Sequence, residues 1–134
     1  MTNTKLHIGL LLLRVSIAFT MLVYGINKLI FGIDFISAQI AQYGLPSFIG
    51  YGVYVGEVIA PILIIIGYRT KLAALIFAIN CFVAILLVQL PNLLKLNEFG
   101  GWELGPLFIY TSYGIALFLT GGGKYSMSTN NKWD

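Results

Sequence analysis

Four residues with ionisable side chains lie within or at the ends of long apolar stretches of the sequence: Arg14, Lys28, Glu57 and Glu103. Glu57 lies near the middle of the apolar run from residue 51 to residue 67. A carboxylate at that depth of a membrane helix costs about 2–4 kcal/mol unless it is protonated or paired. Two of the four residues are basic and two are acidic, so the set can neutralise itself. Intramembrane charges of this kind are typical of ligand sites and proton paths.

The spacing of these residues indicates which charges can meet. Arg14 and Lys28 are fourteen residues apart, which is about 21 Å along a helix axis and about 40° around it. Lys28 and Glu103 lie at the same end of their predicted helices, so they can pair. Glu57 lies between the depths of Arg14 and Lys28 and can reach either one.

Tyrosine hydroxyls accompany the charged residues at helical spacing. Two tyrosines lie about one helical turn before a charge of their own apolar stretch, and two more follow the acid of the last stretch on its side of the helix. Phenol hydroxyls are suitable partners for buried carboxylates and amines. The candidate ligand-binding or charge-network residues are Arg14, Tyr24, Lys28, Tyr54, Glu57, Glu103, Tyr110 and Tyr113.

This set of residues supports two interpretations. In the structural one, the charges pair with each other, orient the helices and bind nothing. In the functional one, a carboxylate and a lysine lined by tyrosines in the outer half of a bundle form a site for a small polar head group or a proton path.

The composition indicates that most of the protein surface faces lipid and not water. The chain has 134 residues, 58% of them hydrophobic and 10% charged, and its mean hydropathy is +0.88. Soluble domains carry about a quarter of charged residues. At about 20 residues per helical span, the length accommodates four spans. The net charge of +3 is spread along the chain, which argues against a nucleic-acid partner.

The single cysteine and the single histidine limit the redox chemistry of the isolated chain. Cys81 lies inside an apolar run without a second thiol, so we interpret it as a buried structural thiol. His7 lies near the N-terminus, so paired histidine ligation of a haem within the chain is excluded, and we expect no metal site.

The apolar stretches predict an all-α fold, an integral membrane four-helix bundle with antiparallel neighbours. A single domain, residues 1–134, contains helices at about residues 6–31, 51–67, 72–90 and 103–120, and a shorter helix at about 35–43. The shorter helix cannot span a bilayer, so it lies in the membrane interface or is a partly buried loop helix. Pro61 should bend the second helix. The first stretch resembles a signal peptide, but Arg14 interrupts it and no cleavage site follows, so we expect it to be retained.

Smaller features of the second and third stretches bear on packing. Gly52, Gly56 and Ala60 recur every four residues, which predicts the close approach of another helix, in the same chain or in a second copy. Asn80 and Gln89 lie on opposite sides of their helix, so we do not expect one site to use both. Pro91 is expected to end that helix.

Basic residues predict the orientation. The side assigned to the cytoplasm holds Lys5, Arg69, Lys71, Lys124 and Lys132. Both termini are therefore predicted to be cytoplasmic. With no targeting segment in evidence, we expect a multi-pass protein of the bacterial inner (cytoplasmic) membrane. Its expected partners are the lipid bilayer, membrane or periplasmic proteins, and a second copy of the chain.

Several short motifs, in this order, resemble those of the DoxX family of small four-helix membrane proteins. They are Arg14, Gly25-Ile26-Asn27-Lys28, Gly44-Leu45-Pro46, Glu57, the turn from Gly67 to Ala74, Gly100-Gly101-Trp102-Glu103, and Gly123-Lys124-Tyr125-Ser126. The resemblance implies a membrane-embedded four-helix protein. Some members are linked to quinone reduction by sulfur compounds or to redox complexes with partner proteins. Tyr24 departs from the histidine that relatives often have there, so proton chemistry is not carried over to that position. The chain also lacks the cysteine pairs of the vitamin K epoxide reductase type, which excludes a dithiol mechanism.

Three functions of different kinds follow. The first is a membrane subunit of a redox system that holds a quinone or similar small head group between Lys28, Glu57, Glu103 and the tyrosines. Whether such a chain is itself an enzyme stays open, and no catalytic residue is assigned. The second is a proton-coupled transporter subunit that depends on Glu57. The third is a non-catalytic assembly or anchoring protein whose charges only fix the bundle.

Overall fold

The fold is described by a computed structural model that covers residues 3–89 and 94–134. Helix α1, Asn3–Phe31, has 29 residues and carries Lys28 in its last turn. It ends at Gly32, whose φ of +85° is left-handed and whose N–H donates to the carbonyl of Lys28 over 2.8 Å. Glycine adopts this conformation without steric cost. Helix α2, Asp34–Gln42, follows directly and buries Ile40.

Helix α3 is continuous but changes its winding three times. It consists of a 3₁₀ turn at Ser47–Tyr51, an α-helical turn at Gly52–Tyr54, a π-helical turn at Val55–Ile59 and an α-helix at Ala60–Ile66. Gly67, with a φ of +79°, ends it through an N–H bond to Leu63. The wide π turn therefore lies in the middle of the span and contains Glu57.

Helix α4 consists of Thr70–Ala84 followed by a second π turn, Ile85–Gln89. The predicted end of this helix at Leu90 and Pro91 lies outside the described residues. Helix α5 is Gly105–Thr120, with Pro106 in its first turn, where a missing N–H leaves no intrahelical bond unmade. Glu103, predicted to begin this helix, lies in the turn before it.

The four long helices pack through small and apolar side chains. The core contains Ala18, Met21, Ala60, Ile64, Ala73, Ala74, Phe77, Cys81 and Leu117. Helices α4 and α5 form the most extensive pair. A Cβ at Gly114 would come within 2.8 Å of the Ala78 Cβ, which is the close approach expected where helices meet without large side chains.

Three helical stretches in the described part of the chain are long and apolar enough to cross a membrane: Thr4–Phe31, Phe48–Ile66 and Thr70–Leu87. The fourth, Gly105–Thr120, is apolar and shorter. The described residues contain no β-strand, only one isolated bridge between Leu96 and Trp102. The prediction of an all-α membrane bundle is confirmed. The cytoplasmic location of both termini stays a prediction.

The segment after α5 folds across one end of the bundle. Met127 and Ser128 donate backbone N–H bonds to the carbonyls of Ile66 (3.0 Å) and Gly67 (3.2 Å). These carbonyls lie at the C-terminal end of α3, where helical acceptors have no donor within their own helix. The segment thus supplies hydrogen-bond donors to the carbonyls at the end of α3.

Candidate functional site

A cavity of about 450 Å³ lies among the helices, towards the C-terminal half of α1. Its walls combine apolar side chains with six polar or charged ones. It is lined by Met21, Tyr24, Lys28, Phe35, Ile36, Val53, Glu57, Asn80, Ala84, Glu103, Pro106, Leu107 and Tyr110. Five of the eight residues predicted from the sequence are in this lining: Tyr24, Lys28, Glu57, Glu103 and Tyr110.

The charged centre of the cavity is an ion pair between α1 and α3. Lys28 Nζ donates to Glu57 Oε1 over 2.9 Å, and the side chains are 25% and 9% exposed. The ring of Tyr24 adds to the setting of Lys28, with Nζ 5.8 Å from its centroid. Of the two partners that the sequence allowed for Glu57, the structure places Lys28 beside it.

The π turn around Glu57 lies directly before Pro61. Pro61 has no N–H, so it cannot donate the α-helical hydrogen bond to the carbonyl of residue 57, four positions earlier. A wider turn with bonds to the fifth residue is one of the local adjustments that membrane helices make, and here the N–H of Ala60 donates to the carbonyl of Val55. Gly25 of α1 packs directly against the Glu57 carbonyl, where any Cβ would overlap it. The backbone of Glu57 is therefore held by α1 at Gly25 as well as by its own helix.

Most polar groups of the cavity are not satisfied by the protein. Glu57 Oε2 is buried and has no hydrogen-bond partner among the described residues. The same residues supply no hydrogen bond to the side chains of Asn80, Glu103 or Tyr110. Asn80, Glu103 and Tyr110 are half-buried, whereas Glu57 is buried, and an unpaired buried oxygen is costly in a low-dielectric interior. This concentration of free donors and acceptors fits a site that is completed by a polar ligand or by water.

Tyr54 acts beside the cavity. Its hydroxyl donates to the backbone carbonyl of Lys28 over 3.1 Å. That carbonyl lies in the last turn of α1 and also accepts from the Gly32 N–H, so the Tyr54 hydroxyl adds a second hydrogen bond there. Tyr54 thus fixes the end of α1 that carries Lys28 and belongs to the positioning of the ion pair.

Arg14 and Tyr113 lie apart from the cavity. The Arg14 side chain is 1% exposed and donates only to carbonyls: Nε to Ile64 (3.0 Å), Nη2 to Ile65 (3.0 Å), and Nη1 to Gly122 (3.2 Å) and Tyr125 (2.8 Å). The Tyr113 hydroxyl donates to the carbonyl of Arg14 over 3.4 Å. The physical reason is that helix ends and the folded-back terminal segment offer Arg14 unsatisfied carbonyls within reach, so it joins α1, α3 and the terminal segment.

Asn80 is the polar cavity residue that the sequence did not assign to the site. Its depth could be predicted but a partner could not, because no acid or base lies nearby on its own helix. A usable signal was present in α3, where Gly56 leaves room for a side chain from a neighbouring helix. A Cβ at Gly56 would overlap the Asn80 side chain.

The family model named DoxX matches residues 9–90. The chain belongs to the DoxX family. This DoxX chain is also 32% identical over 115 residues to a Bacillus subtilis (strain 168) protein named "Putative oxidoreductase CatD", covering 86% of the chain and 82% of that protein. No solved structure matches it. Family membership and the apolar helices make it a multi-pass membrane protein.

The family match covers the ion pair but not the whole cavity. Lys28, Glu57 and Asn80 lie within the matched residues 9–90, whereas Glu103 and Tyr110 lie beyond them. Within the described ranges, no three His, Cys, Asp or Glu side chains are grouped as metal ligands.

Proposed function

We propose that the chain is a membrane subunit of a redox system and that its cavity binds the head group of a quinone or a similar small molecule. The observation that carries the proposal is the Lys28–Glu57 ion pair, whose free Glu57 Oε2 lies at a cavity with unpaired polar groups. The family and the oxidoreductase name of the Bacillus subtilis relative support a redox role. Under the orientation predicted from the basic residues, the cavity lies in the periplasmic half of the inner membrane.

The size and lining of the cavity suit such a ligand. A volume of about 450 Å³ is within the range of about 300–1,000 Å³ that is usual for small-molecule sites. Apolar walls from Met21, Val53 and Leu107 would pack against a flat ring. The polar groups among these walls can fix the orientation of a largely apolar ligand.

The residues of the chain supply proton chemistry and positioning. A bound quinone would itself carry the electrons. Glu57 can accept or release a proton at a head-group oxygen, and the adjacent ammonium of Lys28 stabilises its ionised form. Glu103, at the same cavity, is a second carboxylate through which a proton can enter or leave. A partner protein in the membrane or the periplasm would then supply or remove the electrons.

The proposal is tested by what the protein retains on purification. Protein extracted from its native membrane in mild detergent is analysed for bound quinone by mass spectrometry, and its melting temperature is recorded with added menadione or decylubiquinone. We expect a quinone to co-purify and both compounds to raise the melting temperature, because ligand binding to the folded state stabilises it. Glu57→Gln should reduce the shift, since hydrogen bonds to charged groups are worth about 1.5–3 kcal/mol.

The matched control is Glu98→Gln, the same change in chemistry at an exposed residue outside the cavity lining. It should leave the shift unchanged. A protein that carries no quinone, and whose melting temperature does not respond to either compound, contradicts the proposal.

A further inference from the structure

Asn80 is the polar side chain that α4 contributes to the cavity, and it has no hydrogen bond to any residue in the described ranges. Its amide offers two donor hydrogens and one carbonyl acceptor. An unpaired amide within a membrane-spanning helix is unfavourable, because lipid offers it no partner. The Asn80 amide is therefore expected to form its hydrogen bonds with a molecule bound in the cavity.

The position of Asn80 is fixed by the packing of α4 on α3. Gly56 has no side chain at the place where Asn80 crosses, and a Cβ there would overlap Asn80 Cβ and Cγ. Gly56 lies in the π turn, immediately before Glu57. The amide is thus held next to the residue that carries the free carboxylate oxygen.

If Asn80 had a purely structural role, a hydrogen bond from its side chain to a neighbouring helix would be expected. Asparagine side chains that join membrane helices do so by hydrogen bonds across the interface. Asn80 contacts α3 closely but makes no such bond with it. The contact alone does not need an amide, because an apolar side chain of the same shape would fill the space equally well.

Resting on the proposed function, we infer that Asn80 is the specificity-determining residue of the cavity and binds a head-group oxygen of the ligand in both its oxidised and its reduced form. A quinone carbonyl only accepts hydrogen bonds, whereas the hydroxyl of the corresponding quinol also donates. Asn80 meets both needs without changing its charge, since Nδ2 donates to the carbonyl and Oδ1 accepts from the hydroxyl. Lys28 offers only donors, and the ionised carboxylates of Glu57 and Glu103 offer only acceptors. The hydroxyls of Tyr24 and Tyr110 can also donate and accept, but through one oxygen with a single hydrogen, whereas the amide has its donor and its acceptor on separate atoms.

The test compares two ligands that differ only in their oxygens. Wild-type protein and the near-isosteric Asn80→Leu variant are placed in lipid nanodiscs and titrated with menadione and with 2-methylnaphthalene, which has the same rings and methyl group but no oxygen. We expect Asn80→Leu to bind menadione roughly tenfold more weakly, the factor that corresponds to the loss of one hydrogen bond. Its affinity for 2-methylnaphthalene should change less than threefold. Reduced menadione should lose affinity to the same degree as the oxidised form.

Two further variants serve as a control and as a replacement for Asn80→Leu. Thr111→Val removes a hydroxyl from α5 at a residue outside the cavity lining, where Thr111 only donates to the carbonyl of Leu107, and should leave both affinities unchanged. Asn80→Ala replaces Asn80→Leu if the latter fails to fold, with the same expected loss for menadione.

The outcomes separate this inference from the proposed function. If wild type binds menadione and the Asn80 variants bind it equally well, the inference is overturned while the proposed function stands. Equal weakening of menadione and 2-methylnaphthalene overturns it too, because the residue then acts only through packing. If wild type binds no quinone at all, both fall together.

Discussion

The Lys28–Glu57 pair predicts unequal costs when its members are removed one at a time. Lys28→Met leaves a 9% exposed carboxylate without its cation, and deleting one member of a buried pair costs about 3–5 kcal/mol. Because the Lys28 side chain is 25% exposed, the pair is only partly desolvated, and we expect about 2 kcal/mol. Glu57→Gln should cost less, since the long lysine stem can carry its ammonium towards the membrane surface.

The measurement is a double-mutant cycle by reversible unfolding in mixed micelles. The double variant Lys28→Met/Glu57→Gln should be less destabilised than the sum of the single variants, because it leaves no unpaired charge. Lys95→Met, at an exposed loop residue, should change the free energy of unfolding by no more than about 0.5 kcal/mol. Strict additivity of the two single changes would contradict a coupled pair.

The partner of Glu57 could be narrowed from the sequence but not decided. Helical spacing placed Arg14 and Lys28 on nearly the same face of α1, so either could meet Glu57. The decision depends on the segment after α5, whose carbonyls at Gly122 and Tyr125 bind Arg14. Polar residues in a terminal segment carry no pattern that predicts how they fold back, so this contact was not foreseen.

The crossing of α1 and α3 depends on one glycine, and the same helix provides its own control. Gly25→Ala would place a Cβ onto the Glu57 carbonyl, whereas a Cβ at Gly9 has nothing within 4 Å. Gly25→Ala should therefore separate the helices, destabilise the protein by about 1–3 kcal/mol as overpacking does, and weaken quinone binding. Gly9→Ala should be neutral or slightly stabilising, because alanine is the better helix former by about 1 kcal/mol.

Both variants are compared by thermal unfolding and by menadione titration in the same detergent. Equal effects at the two glycines would show that only helix propensity is involved, and would contradict close packing at Gly25.

Within α3, the sequence predicted a disturbance at Pro61 but not its form. Proline removes one hydrogen bond, and membrane helices answer this with a kink, a tightened turn or a widened one. The proline alone does not decide which of these occurs, and here α1 packs against the widened turn through Gly25, beside the Glu57 carbonyl. The ends of α3 and α5 were easier to predict from the sequence. Gly67 and Gly121 have positive φ values there, which only glycine adopts freely.

The two ends of the bundle differ in how they are closed. At one end lies the cavity, and at the other the segment after α5 is held by an ion pair of Arg69 Nη1 with Asp134 Oδ1 at 3.3 Å. Ser128 joins both partners, since its hydroxyl accepts from Arg69 (2.8 Å) and donates to Asp134 Oδ2 (2.6 Å). Arg14 holds the same segment from inside the bundle. The closed end can therefore be loosened from the aqueous side without touching the residues of the cavity.

Acid should loosen this closed end through Asp134. Desolvation opposes ionisation of its carboxyl, but hydrogen bonds from Ser128, the Asn131 N–H and Arg69 outweigh it and hold the pKa of Asp134 below its usual value. A carboxyl whose pKa is lower in the folded state stabilises that state above the unfolded pKa of about 3.9. The contribution is lost as the pH falls through the folded pKa.

Asp134→Asn lacks this contribution at every pH. The melting temperature of wild type should therefore exceed that of the variant at pH 6, and the two should converge as the pH falls below about 4. Limited proteolysis of the terminal segment should follow the same course. A difference that persists unchanged at low pH, or an equal one in Glu98→Gln, would show that the ionised Asp134 does not hold the segment.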